Sequence, residues 1–207
     1  MFIPVFLVAA LLIFLPFSTN QEFLRNRARA NTPAGEFNAG ARLVQSGYLP
    51  RGTTSTAGQG NLCVGIQFAT YARRNSGQLG VHWSQPGRTN RWRVESSELE
   101  DNQFKYFCPQ DGIELDSGFE IAVIGIDGKS GHSPTAWLTA DTSLGTVRVN
   151  GQPRGKSLVL SFAARKHVTA ARILRTNHGA FALGLLLSVI IGLVALLSMK
   201  QHAAESA

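Results

Sequence analysis

Cys63-Val64-Gly65-Ile66-Gln67-Phe68-Ala69-Thr70-Tyr71-Ala72-Arg73-Arg74-Asn75-Ser76-Gly77-Gln78-Leu79-Gly80-Val81-His82-Trp83 is the stretch that decides the fold. Val64, Ile66 and Phe68 recur at a period of two, and Leu79, Val81 and Trp83 do so again beyond Asn75-Ser76-Gly77. Successive side chains of an extended strand point to opposite faces, so each run gathers its apolar set on one side. The pair therefore reads as two antiparallel strands joined by a tight connection. Working outward, further strands are expected at about 91–96, 103–108, 118–126, 134–139, 144–149 and 157–162. Between them lie turn formers such as Ser84-Gln85-Pro86-Gly87, Glu100-Asp101-Asn102, Asp127-Gly128-Lys129-Ser130-Gly131 and Asn150-Gly151-Gln152-Pro153. Short strands at this spacing predict a mainly β fold, a single antiparallel β-sandwich or jelly roll over residues 61–162.

The flanks are different. Residues 1–21 carry no charged side chain, and 180–199 is an uncharged run rich in Leu, Ile and Val. About 20 apolar residues in a helix cross a bilayer core. The second run is therefore expected to be a transmembrane helix over 179–199, and 1–21 a transmembrane helix or signal anchor. A cleaved signal peptide and a buried apolar segment are the alternatives for 1–21. Cleavage is disfavoured because no charged segment precedes the run and no small-x-small site closely follows it. Residues 22–60 read as a polar linker broken by Asn31-Thr32-Pro33-Ala34-Gly35, and 200–207 as a short tail. Residues 163–178, with Arg165, Lys166, Arg172 and Arg175, read as a basic juxtamembrane amphipathic helix or as the start of the last membrane helix. Ala180, Gly184, Ser188 and Gly192 recur every four residues, a spacing at which small side chains let another membrane protein, or a second copy, approach a helix closely.

The 207-residue chain carries 20 Lys and Arg against 13 Asp and Glu, for a net charge of +7. That balance suits an anionic partner. Arg25, Arg27 and Arg29 border the first apolar run, and four basic residues border the second, so membrane lipid is the expected partner and nucleic acid is not. Two cysteines, Cys63 and Cys108, stand at predicted strand ends, where a disulfide would close a loop of about 45 residues. Two buried free thiols are the plainer alternative. A disulfide points to an oxidising compartment. The charge lying inside both apolar runs points to the cytoplasm. The disulfide is taken as the better guide, which places the β domain on the extracytoplasmic side of the inner (plasma) membrane.

The segment from Phe68 through Gly77, with Leu79, then Leu99-Glu100-Asp101-Asn102, the aromatic strand Phe104–Phe107, Ser117-Gly118-Phe119-Glu120-Ile121 and Pro134-Thr135-Ala136-Trp137, resembles a β-sandwich module of bacterial envelope membrane proteins. That module is similar to carbohydrate-binding jelly rolls and occurs beside proteins that look like glycosyltransferases for surface polysaccharides. The resemblance covers about residues 62–139. It implies contact with polysaccharide, by analogy of fold.

A sugar site needs an exposed aromatic for the pyranose face and polar neighbours for the hydroxyls. Tyr71, Trp83, Trp92 and Trp137 offer the aromatics, and Arg73, Arg74, Asn75, Arg91 and Asp101 the bonds. Tyr71, Arg73, Arg74, Asn75 and Asp101 are the favoured set, while Trp83 and Trp137 are expected in the core. An ordinary surface ion pair between Asp101 and Arg73 or Arg74 competes with a ligand role. Asp101, Asp111, Asp116 and Asp127 make no dense ladder of oxygen ligands, so no metal or other cofactor is expected. Gly128-Lys129-Ser130 resembles the end of a phosphate loop, but Val123 stands where its first glycine belongs. The nucleophile-elbow pattern is also lacking, so an enzyme is not expected. The expected function is a non-catalytic, membrane-anchored accessory or glycan-contacting subunit of a cell-envelope polysaccharide assembly or export system. The alternative is a structural subunit of another membrane complex whose sandwich binds protein only.

Overall fold

The computed structural model describes residues 16–26, 32–50 and 61–169, together with Ser188 and Gly192. Thirteen strands run through the described residues: β1 (Pro16–Arg25), β2 (Thr32–Pro33), β3 (Arg42–Leu49), β4 (Asn61–Ala69), β5 (Gln78–Gln85), β6 (Arg88–Glu95), β7 (Phe104–Phe107), β8 (Ser117–Gly125), β9 (Thr135–Thr139), β10 (Thr146–Val149), β11 (Gln152–Pro153), β12 (Ser157–Leu158) and β13 (Leu160–Thr169). One sheet of seven strands follows the order β1-β13-β4-β9-β12, with β2 added on β9 and β7 on β4. The other, of six strands, follows β11-β10-β3-β8-β5-β6. The chain divides into two compact units, 20–166, and 1–19 with 167–207. The first is the sandwich. Of the second, the described residues are the outer ends of β1 and β13 and the helical Ser188 and Gly192.

Alternation drives the packing. Val64, Ile66 and Phe68 of β4, Leu79, Val81 and Trp83 of β5, and Leu160 and Phe162 of β13 all turn into one core. At its centre Trp83 stacks on Phe119 of β8 with centroids 4.8 Å apart. From the opposite sheet, Phe162 meets both rings edge-on, at 5.9 and 6.0 Å. Each such ring contributes roughly 2–3 kcal/mol by burial. Cys63 and Cys108 are bonded, with Cα atoms 4.1 Å apart. Val64 pairs with Phe107 in the β4–β7 ladder, so the cysteines fall directly opposite one another one step further along.

The predicted strands from 62 to 149 are present, with shifts of up to three residues at their ends, whereas the strand expected at 157–162 is divided into β12, paired with β9, and β13, paired with β4. The flanking expectations need correction. Among the described residues no helix is long and apolar enough to cross a membrane. The expected helix over 1–21 gives way at its end to β1, whose Pro16 and Ser18-Thr19-Asn20 favour extended backbone over helix. Residues 1–15 lie outside the described residues. The supposed linker 22–60 contains β3, a central strand hydrogen-bonded to β8 on one side and β10 on the other. The supposed amphipathic helix 163–178 begins instead as β13, because pairing of residues 160–165 with 61–66 on β4 overrides the helical spacing. Residues 170–178 lie outside the described residues, as do most of 179–199, including Ala180 and Gly184.

β3 shows why a central strand can escape a hydropathy reading. Its inward positions are Leu43, Gln45, Gly47 and Leu49, half of them without an apolar side chain. Gln45 is fully buried and bridges the sheets. Its Nε2 donates to the Leu144 carbonyl at 2.7 Å, and its Oε1 accepts from the Leu158 N–H at 2.6 Å and the Ser157 hydroxyl at 3.2 Å. Gly47 leaves the space that Phe119 fills, for a Cβ there would lie 2.7 Å from the ring and would also strike the Leu144 carbonyl.

Candidate ligand corner beside β4

β4 ends at Ala69, and the chain then turns through Thr70 to Arg73, closed by the Arg73 N–H to the Thr70 carbonyl at 3.2 Å. Tyr71 and Ala72 both take left-handed backbone, with φ of 57° and 53°. For residues with a Cβ this conformation is unfavourable by about 1–2 kcal/mol each. Asp101 holds it in place. Its Oδ1 accepts from the Thr70 N–H at 2.6 Å and from the Thr70 hydroxyl at 3.2 Å. The Thr70 N–H chiefly, then that hydroxyl and the N–H groups of Ala72 and Tyr71, hold the Asp101 carboxyl below its ordinary pKa, against a smaller opposing effect of burial.

The Arg73 guanidinium clamps the other side of the turn. It donates to Asn75 Oδ1 at 3.0 Å, to Glu36 Oε1 at 2.5 Å and to the Ser133 carbonyl at 3.1 Å. Asn75 is buried and donates to the Thr70 carbonyl at 3.3 Å. Glu36 in turn accepts from the Gly131 N–H at 2.8 Å, which with Arg73 holds its carboxyl below the usual carboxylate range.

The five expected site residues are thus brought to one corner, with two different duties. Arg73, Asn75 and Asp101 spend their hydrogen-bonding capacity inside the protein. Tyr71 and Arg74 face solvent. The Tyr71 ring is 45% exposed, with the Arg73 guanidinium 4.9 Å from its centroid. The Thr70 N–H and hydroxyl on Asp101 and the Arg73 N–H on the Thr70 carbonyl fix the turn, so the exposed ring is already ordered and a flat ligand face can stack on it at small entropic cost.

Sequence reasoning missed Asn102 and misplaced Trp137. Trp83 is in the core as expected, whereas Trp137 is half-buried and lies on the outer face of the seven-stranded sheet, between inward Ala136 and Leu138. Its indole N–H donates to Asn102 Oδ1 at 2.7 Å, and Gln67 donates to the Asn102 carbonyl at 2.8 Å. One dipeptide, Asp101-Asn102, therefore anchors the Tyr71 turn on one side and the Trp137 ring on the other. The ladders align Phe104, Gln67 and Trp137 in one outward row, with the Arg25 guanidinium 4.6 Å from the Phe104 ring. The legible signal was the strand parity of Trp137, opposite to that of its neighbours Ala136 and Leu138.

Asp116 accepts from the Tyr48 hydroxyl at 2.5 Å and Asp127 from the Gln78 N–H at 2.6 Å. Among the described residues, no three His, Cys, Asp or Glu side chains gather into a metal cluster. The chain matches no protein-family model and no curated protein.

Proposed function

We propose that this protein is a non-catalytic, glycan-contacting accessory subunit of a cell-envelope polysaccharide assembly or export system, with its sandwich outside the cytoplasm. The observation that carries the reading is Tyr71, an exposed ring on strained backbone that Asp101 holds in place. Strain of this kind persists where surrounding structure over-determines it, and it concentrates at ligand contacts. Arg74, exposed beside it, offers donors to hydroxyl or carboxylate oxygens. The Trp137 and Phe104 row extends the aromatic surface in the direction a chain of sugars would follow. The Cys63–Cys108 bond supports the compartment, because structural disulfides persist where the environment is oxidising.

Glycan-array binding and polysaccharide pull-down with the full chain test the proposal. Tyr71→Ala is expected to weaken binding about tenfold, or about 1.4 kcal/mol, with thermal unfolding unchanged. Glycan retention that ignores this substitution would refute the assigned site. A stoichiometric protein partner with no glycan affinity would instead support a sandwich that binds protein only.

A further inference from the structure

The outer face of the six-stranded sheet carries a charge pattern that the Tyr71 corner does not use. Register aligns Arg93, Gly80, Ile124 and Arg42 across β6, β5, β8 and β3. The next outward row runs Arg91, His82, Ala122, Val44 and Arg148, and continues to Pro153 on β11. Arginines therefore stand in two files, Arg91 and Arg93 on one side and Arg42 and Arg148 on the other. At the spacing of neighbouring strands the files are about 14–19 Å apart at their Cα atoms. The floor between them is Gly80, Ala122, Val44 and Ile124, with His82.

Two hollows occupy this face. One, of about 540 Å³, is lined by Arg42, Val44, Ser46, Glu120, Thr146 and Arg148. The other, of about 390 Å³, is lined by Gly80, His82, Arg91, Trp92, Arg93, Ile124 and Ile126. All four arginines are exposed. Among the described residues none of them forms an ion pair, and the carboxylates on the same face, Glu95 and Glu120, stand in the rows beyond those of the arginines, one at each end. Both files reach the floor. Burial first, then Arg91 from one file and Arg42 from the other, hold the His82 imidazole below its ordinary pKa.

We infer that this trough binds a linear anionic glycan, its carboxylate or phosphodiester groups on the arginine files and its sugar C–H faces on the apolar floor. Guanidinium groups take carboxylate and phosphate oxygens in paired hydrogen bonds, which suits both anions. A planar bilayer would meet the files and leave the recessed floor empty. Single-stranded nucleic acid gains most from stacking on several exposed aromatic rings. Here the Trp92 ring packs against Phe107 and the core, which leaves the half-buried His82 imidazole as the ring on the floor. An anionic sugar chain satisfies both files and floor. The choice of a glycan among anionic chains rests on the proposed function; the place and its charge do not.

The test uses the full chain and titrates oligogalacturonate, a glycerol-phosphate-bearing glycan, a neutral glucan of matched length, oligo-dT, and phosphatidylcholine vesicles with and without phosphatidylglycerol. The expected result is binding to one or both anionic glycans at least about tenfold tighter than to the others. Arg91→Gln/Arg93→Gln and Arg42→Gln/Arg148→Gln should each lose about tenfold and show a shallower salt dependence, with thermal unfolding unchanged. Preference between the two anionic glycans separates carboxylate from phosphodiester recognition. Equal affinity for the neutral glucan, tighter binding of oligo-dT or anionic vesicles, or indifference to both double substitutions would overturn the inference. These substitutions lie far in sequence from Tyr71, so their failure leaves the Tyr71 result to be read by itself.

Discussion

Tyr71 and Ala72 sit in left-handed backbone without being glycine, and the Asp101 carboxylate explains how. The stabilisation requires the carboxylate charge. Asp101 titrates lower in the folded chain than in the unfolded one, so the unfolded state binds the proton first as pH falls. Stability from this group is therefore complete above about pH 5 and is lost as pH drops through the folded value. Glu36 works in the same sense. Asp101→Asn is expected to cost about 1 kcal/mol at neutral pH, through loss of charge-assisted bonds, and to flatten the decline toward pH 3. Urea midpoints followed by tryptophan fluorescence across that range check this; an unchanged slope would show that Asp101 does not hold the turn. The sequence marked Glu100-Asp101-Asn102 as a turn. It could not show that the carboxylate reaches back 31 positions to Thr70, because a turn signal is local and this bond belongs to the tertiary fold. A tyrosine and an alanine give no sign of positive φ, as glycine or asparagine would.

At the scale of the element, strands β4 to β9 were legible because their inward positions are apolar and their turns carry Gly, Asn or Asp. β3 was not, since a glutamine and a glycine fill two of its four inward positions. Their purpose is visible only from the other sheet. Gln45 supplies partners to Leu144, Ser157 and Leu158, and Gly47 makes room for Phe119. Gln45→Leu should keep most of the volume yet leave the Leu158 N–H and the Leu144 carbonyl buried without this partner. The expected loss is about 3 kcal/mol, measured as a fall in the urea midpoint at constant slope; a loss below about 1 kcal/mol would mean that the bridge is dispensable. β1 and β13 were misread for a related reason. Apolar and basic residues there fit helical templates, and only the ladder between β13 and β4 decides for strand.

For the whole molecule, one aromatic cluster ties the two sheets together and one disulfide ties β4 to the end of β7 within the seven-stranded sheet. Cys63–Cys108 closes a 45-residue separation. Its removal in a Cys63→Ser/Cys108→Ser variant is expected to cost about 4 kcal/mol in the chain-entropy picture. Denaturant unfolding of oxidised, reduced and substituted protein checks that figure, and identical midpoints would show that the bond does not stabilise the sandwich. The disulfide was readable from two cysteines at strand ends. The extent of the sandwich was not, because its outer strands come from stretches whose composition resembles linker and membrane segments.

The sandwich thus presents two surfaces of different chemistry, the Tyr71 corner with its neighbouring Trp137 row and the arginine trough of the six-stranded sheet. Amide chemical-shift mapping of the isotopically labelled full chain against purified envelope polysaccharide tests the account most directly. Shifts are expected to concentrate at residues 70–74, 101–102 and 137, joined by β6, β8 and β3 when the polysaccharide is anionic. Saturating polysaccharide that leaves these amides unmoved, or moves only amides elsewhere, would contradict it.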